Sequence, residues 1–92
     1  MDNRILLNVV VNGKSVPVEE NVHEPLHTLM THALNDSGNS GQSLENWELR
    51  DAGGSILDSN RKISDLNIAP GTNLFLNLKA GIGGAFGERA IR

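Results

Sequence analysis

An α+β fold, with one helix laid across a small mixed β-sheet, is what the sequence predicts, and three observations predict it. Ile5, Leu7, Val9 and Val11 alternate with Leu6, Asn8, Val10 and Asn12, the two-residue period of a strand with one buried face. Leu26, Leu29, Met30, Ala33 and Leu34 recur at i, i+3, i+4, i+7 and i+8, an apolar stripe about 100° wide that a helix gathers on one side. Residues 72–79 return to alternation, with Leu74, Leu76 and Leu78 sharing a face.

The elements follow in order. After the first strand, Asn12-Gly13 supplies the positive backbone angles of a two-residue hairpin, and Val16 and Val18 resume alternation on the return strand. Pro17 has no amide hydrogen to give to a ladder, so it marks this strand as an edge, or marks a position facing away from a partner. Asn21-Val22-His23-Glu24-Pro25 offers a polar cap and a proline near a first helical turn. Gly38 is placed to end the helix, and residues 35–43, rich in Asn, Ser and Gly, form a surface loop. Trp47 and Leu49 alternate with Glu48 and Arg50 in a third strand, where Trp47 is a core or core-edge residue. Ala52-Gly53-Gly54-Ser55 then turns the chain toward a short fourth strand around Ile56 and Leu57. Ser64-Asp65-Leu66-Asn67-Ile68 reads as one helical turn capped by the serine, and Pro70-Gly71 as a turn into the last strand. The expected order is β-β-α-β-β-β, with residues 1–79 as the folded domain, 80–84 as a flexible tail and 85–92 as an extension beyond it.

Bulk properties narrow the function. A chain of 92 residues holds one small core and has little room for an enzyme cleft, so an enzyme is not expected. The net charge is −3, and because Glu88, Arg89 and Arg92 together carry +1, residues 1–84 carry −4. That balance argues against nucleic acid, whose partners cluster Lys and Arg. With no cysteine there is no disulfide, thiol nucleophile or thiolate metal site. Residues 5–11 are too short and too interrupted, at Asn8, for a signal peptide or a membrane span, which points to a soluble cytoplasmic protein with no membrane partner. His23 and His27 have metal-ligand spacing but no evident third ligand, and with His32 they read as surface histidines, so neither a metal nor a cofactor is expected.

Asn60-Arg61-Lys62-Ile63-Ser64-Asp65-Leu66-Asn67-Ile68, then Thr72-Asn73-Leu74-Phe75-Leu76-Asn77-Leu78-Lys79, then Gly83-Gly84 resembles the closing loop, last strand and diglycine tail of ubiquitin and its relatives. The resemblance covers residues 4–84 and implies their β-grasp fold. Trp47-Glu48-Leu49-Arg50-Asp51 and Leu78-Lys79-Ala80-Gly81 are more similar still to small bacterial ubiquitin-like proteins encoded beside activating-enzyme, conjugating-enzyme and metallopeptidase homologues. The implied function is a protein modifier whose C-terminal glycine is adenylated, passed to an enzyme nucleophile and conjugated to target proteins. On that reading Gly84 carries the acyl group, Gly83 accompanies it, Gly81 and Ile82 are recognised in the enzyme groove, and Gly84-Ala85 is the processing site of a zinc metallopeptidase. Where ubiquitin carries a receptor-binding isoleucine this chain has Arg50, and its tail lacks the family's usual arginines, so a dedicated enzyme set is implied.

Two other functions compete. A sulfur carrier also uses a β-grasp body and an adenylated diglycine end, but such carriers usually stop at the second glycine, and residues 85–92 favour the modifier. The third is non-covalent assembly into a homo-oligomer. Leu6, Val10 and Phe75 fall on outward sheet positions near Arg50, a candidate surface for a partner or for self-association.

Overall fold

The Asn12-Gly13 pair sets the geometry of the first half of the molecule. In the computed structural model, which describes residues 3–81, Asn12 has φ 49° and Gly13 φ 87°. Both positive angles are those of a tight hairpin turn whose twist matches the flanking strands. The turn joins β1 (Arg4–Val11) to β2 (Lys14–Asn21) in a register that runs from Val11 opposite Lys14 to Arg4 opposite Asn21. The alternation holds along both strands: Ile5, Leu7, Val9 and Val11 are buried, as are Val16 and Val18. Pro17 lies opposite Asn8 on β2, which is an outer strand of the sheet.

Helix α1 (Leu26–Asp36) buries the expected stripe of Leu26, Leu29, Met30, Ala33 and Leu34. Its start differs from expectation. Pro25 occupies the cap position itself, and no side chain caps the helix. Asn21 instead accepts a hydrogen bond from the His23 amide at 2.9 Å, closing a turn at the end of β2. The first free amides of α1 are taken by a distant loop: Leu26 donates to the Arg61 carbonyl at 2.9 Å and His27 to that of Ser59 at 3.0 Å.

Gly38, at φ 79°, ends the helix. Its amide donates to the Asn35 carbonyl at 3.2 Å and that of Asn39 to Leu34 at 2.7 Å, the paired closure of a Schellman motif. A Cβ on Gly38 would meet nothing within 4 Å, so the backbone angle alone sets the cost of adding one. Gly38→Ala is therefore expected to lower the unfolding free energy by about 1 kcal/mol, read from the urea midpoint.

The sheet is completed by β3 (Trp47–Arg50) and β4 (Asn73–Leu78), in the order β2-β1-β4-β3. First and last strands are parallel neighbours in the middle, and the outer pairs are antiparallel. A short 3₁₀ turn at Leu44–Asn46 leads into β3. The expected strand around Ile56 and Leu57 does not form: among the described residues the segment makes one isolated bridge, Ile56 to Arg50, so the sheet has four strands rather than five. Tight turns on both sides prevent a ladder. Asp51 accepts from the amides of Gly53 and Ser55 at 3.0 Å each, and Asp58 from the amide of Asn60 at 3.0 Å.

The turn before β4 is a 3₁₀ helix at Ile63–Leu66 with Lys62, not Ser64, at its cap. Ile63 is buried, and the amides of Ile63 and Ser64 donate back to the carbonyls of Glu24 and Val22. Anchorage to the segment before α1 therefore fixes this turn. Trp47, Leu49, Leu74 and Leu76 complete the core between sheet and helix, with Leu78 half-buried at its margin.

Candidate functional site: the outer sheet face and the exit of the last strand

Two regions carry the residues singled out by the sequence. The first is the sheet face turned away from α1. Cross-strand register places Val10 beside Phe75 and Phe75 beside Arg50. The isolated bridge adds Ile56 beside Arg50, so Val10, Phe75, Arg50 and Ile56 form one row across the sheet. Ile56 is 59% exposed, and sequence reasoning had placed it in a strand rather than on this surface. The Arg50 guanidinium is held in place, donating to Glu48 at 2.8 and 3.0 Å and to the Gly54 carbonyl at 2.7 Å. It is a fixed charge at the centre of an apolar row.

Leu6, although 53% exposed, does not join that row. It lies four positions from Val10 on β1, about 13 Å along the strand. Between them Asn8 donates to the Asn73 side chain at 2.8 Å and accepts from Ser15 Oγ at 2.6 Å, a polar band across the face. The expected surface of Leu6, Val10, Arg50 and Phe75 is thus two separate features.

The second region is where β4 ends. Lys79 donates its amide to the Asn46 carbonyl at 2.9 Å, tying the strand exit to the turn before β3. Gly81, at φ 89°, turns the chain out of the strand direction. Ile82, Gly83, Gly84 and Ala85 lie outside the described residues.

Sequence reasoning missed two buried polar groups. Glu20 is only 5% exposed, and its carboxylate bonds to Nδ1 of His32 on α1, a side chain 52% exposed. His32 is therefore a strut between helix and sheet rather than a bystander on the surface. The strict alternation of Val16, Val18 and Glu20 was the available signal, since it aims Glu20 inward. Trp47 is 3% exposed, and its indole N–H has no hydrogen-bond partner among the described residues. No cluster of three or more metal-ligating side chains forms among the described residues, and none of their helices is long and apolar enough to cross a membrane.

Over residues 1–84, the sequence matches the model of a family described as a protein of unknown function, DUF2604. The chain belongs to the DUF2604 family. A relative, the uncharacterized protein y4jI of Sinorhizobium fredii (strain NBRC 101917 / NGR234), is 46% identical over 82 residues. The match takes in 89% of this chain and 63% of that protein, so the chain spans less than two thirds of its relative's length. Among solved structures, the DUF2604 chain is similar to a de novo designed protein based on ubiquitin, with a TM-score of 0.73. That match has 18% identity and covers 91% of this chain and 99% of the designed one. The DUF2604 fold is accordingly a ubiquitin-like β-grasp of the α+β class.

Proposed function

We propose that this DUF2604 chain is a ubiquitin-like protein modifier precursor, cut after Gly84 and then conjugated through that glycine by a dedicated enzyme cascade. The supporting observation is a coincidence of boundaries. The family match ends on Gly84, the second residue of the diglycine, and β4 of a ubiquitin-like sheet ends at Leu78, five positions before Gly83.

The chemistry follows from what a carboxyl end needs. Water added across the Gly84–Ala85 amide by a zinc metallopeptidase frees a Gly84 carboxylate. A carboxylate is a poor electrophile until its oxygen attacks the α-phosphorus of ATP, expelling pyrophosphate and forming an acyl adenylate. An enzyme nucleophile displaces AMP, and an amine or other acceptor on a target protein then displaces the enzyme. The chain performs none of these steps itself and carries no cofactor. Its partners are activating-like and conjugating-like enzymes, the peptidase and the targets, met in the cytoplasm. Arg50 at the centre of the outer row, anchored by Glu48, suits receptors other than those that grip an apolar centre.

Intact mass of the protein recovered from its native cells tests the reading. Loss of residues 85–92, with heavier species joined through Gly84, is the expected result. A thiocarboxylate at Gly84 would instead assign the chain to sulfur transfer. An uncut chain in every functional molecule would leave non-covalent assembly through the Val10, Phe75 and Ile56 row as the better account.

A further inference from the structure

We propose that the outer sheet face pairs with a second copy of this chain about a two-fold axis, through reciprocal Arg50–Glu48 contacts flanked by Val10, Phe75 and Ile56. The pairing goes beyond the modifier reading and does not depend on it, because every residue it uses lies in the folded body.

Hydrogen-bonding capacity left unused on this face is the first observation. A guanidinium has five N–H groups. In Arg50 two of them reach Glu48 Oε2 and a third reaches the Gly54 carbonyl. The other two have no acceptor among the described residues, and the side chain is 40% exposed. Glu48 takes both contacts on Oε2, so its Oε1 has no donor among the described residues.

Spacing is the second. Glu48 and Arg50 are two positions apart on β3, so they leave the same side of the sheet about 7 Å from one another. One face thus carries free donors and a free acceptor side by side. A two-fold axis crossing β3 between them sets each copy's Arg50 over the other's Glu48, the self-complementarity that an isologous interface requires. Any other partner would have to supply both signs at the same separation; a second copy does so by construction. Sheets packed face to face lie about 10 Å apart, a gap that a glutamate and an arginine extended toward each other can span.

The third is what surrounds the charges. Val10 and Phe75 are half-buried and Ile56 is exposed, and in the paired faces the two apolar rows lie alongside one another and exclude water from the contacts between them. Arg50 is already held by its own chain, so little side-chain freedom is lost on pairing. Toward Leu6 the patch is bounded by the polar band of Asn8, Asn73 and Ser15. The contact is therefore small and the dimer a weak, concentration-dependent one.

Sedimentation equilibrium of the full chain over a range of concentrations is compared for wild type, Arg50→Glu, Glu48→Arg and an equimolar mixture of the two variants. Wild type is expected to show a monomer–dimer equilibrium. Each variant alone places like charges opposite one another and is expected to raise the dissociation constant at least about 10-fold. Their mixture restores both reciprocal pairs, so the dimer is expected to return as a heterodimer. Amide shifts of wild type on dilution need no variant, and the largest changes should fall on Val10, Glu48, Arg50, Ile56 and Phe75. A wild type still monomeric at about 1 mM overturns the proposal. So do variants that associate as well as wild type, a mixture no better than its components, or dilution shifts centred away from this face. Adducts through Gly84 are measured separately, so either reading can fail alone.

Discussion

Gly83→Ala is expected, under the proposed modifier role, to cut the yield of Gly84 adducts by about 100-fold or more when the chain is incubated with a processing peptidase, an activating-like enzyme and ATP. Deletion of Gly84 is expected to abolish them. In the proposed conjugation the tail would have to pass through an enzyme channel to reach the nucleotide, and glycine, with no Cβ, lets the backbone run closest to the channel wall. A methyl group at position 83 displaces the reacting carboxylate, and a misplacement of about 1 Å is enough to cost roughly 100-fold. Neither change touches the core formed among the described residues, which spans Ile5 to Leu76, so urea unfolding should be unaltered. Equal ATP consumption and equal adducts from wild type and both variants would dismiss the role assigned to the tail.

His32→Ala should lower the unfolding free energy by about 1–3 kcal/mol, roughly a 5- to 150-fold fall in the folded-to-unfolded ratio, because it strands the Glu20 carboxylate. Glu20 is buried at a position that would otherwise continue the apolar series Val16, Val18, and His32 is its hydrogen-bond partner. The penalty arises from desolvating an unpaired acceptor, so removing the acceptor should relieve it. Glu20→Val in the His32→Ala background is expected to restore most of the lost stability, since a well-packed apolar residue often replaces a buried polar pair without loss. A loss below about 0.5 kcal/mol in the single variant would mean that solvent reaches Glu20 and that the strut contributes little.

The same pair shows where the sequence was legible. Alternation in Ile5–Val11 and Leu74–Leu78, the helical stripe from Leu26 to Leu34 and the Asn12-Gly13 turn are local signals, and each reappears in the structure. Features that depend on distant partners were not legible. Ser64 has the composition of a cap, but its amide is claimed by Val22, forty-two positions away. Ile56 and Leu57 have strand character, but the Asp51 and Asp58 turns leave them one bridge. On the outer face, Leu6 and Val10 look like one patch until the register brings Asn73 and Ser15 to Asn8 between them. An orphaned indole such as that of Trp47 emerges only from a three-dimensional inventory of donors and acceptors.

The placement of β1 beside β4 has a mechanical consequence. Any load applied through a conjugated C terminus enters at the centre of the sheet, not at its rim. Stretching the chain between its two ends would slide these parallel strands past one another, straining their hydrogen bonds together instead of peeling them off in sequence. If the proposed conjugation joins the chain to a target, a pull on that target would therefore meet a stiff handle.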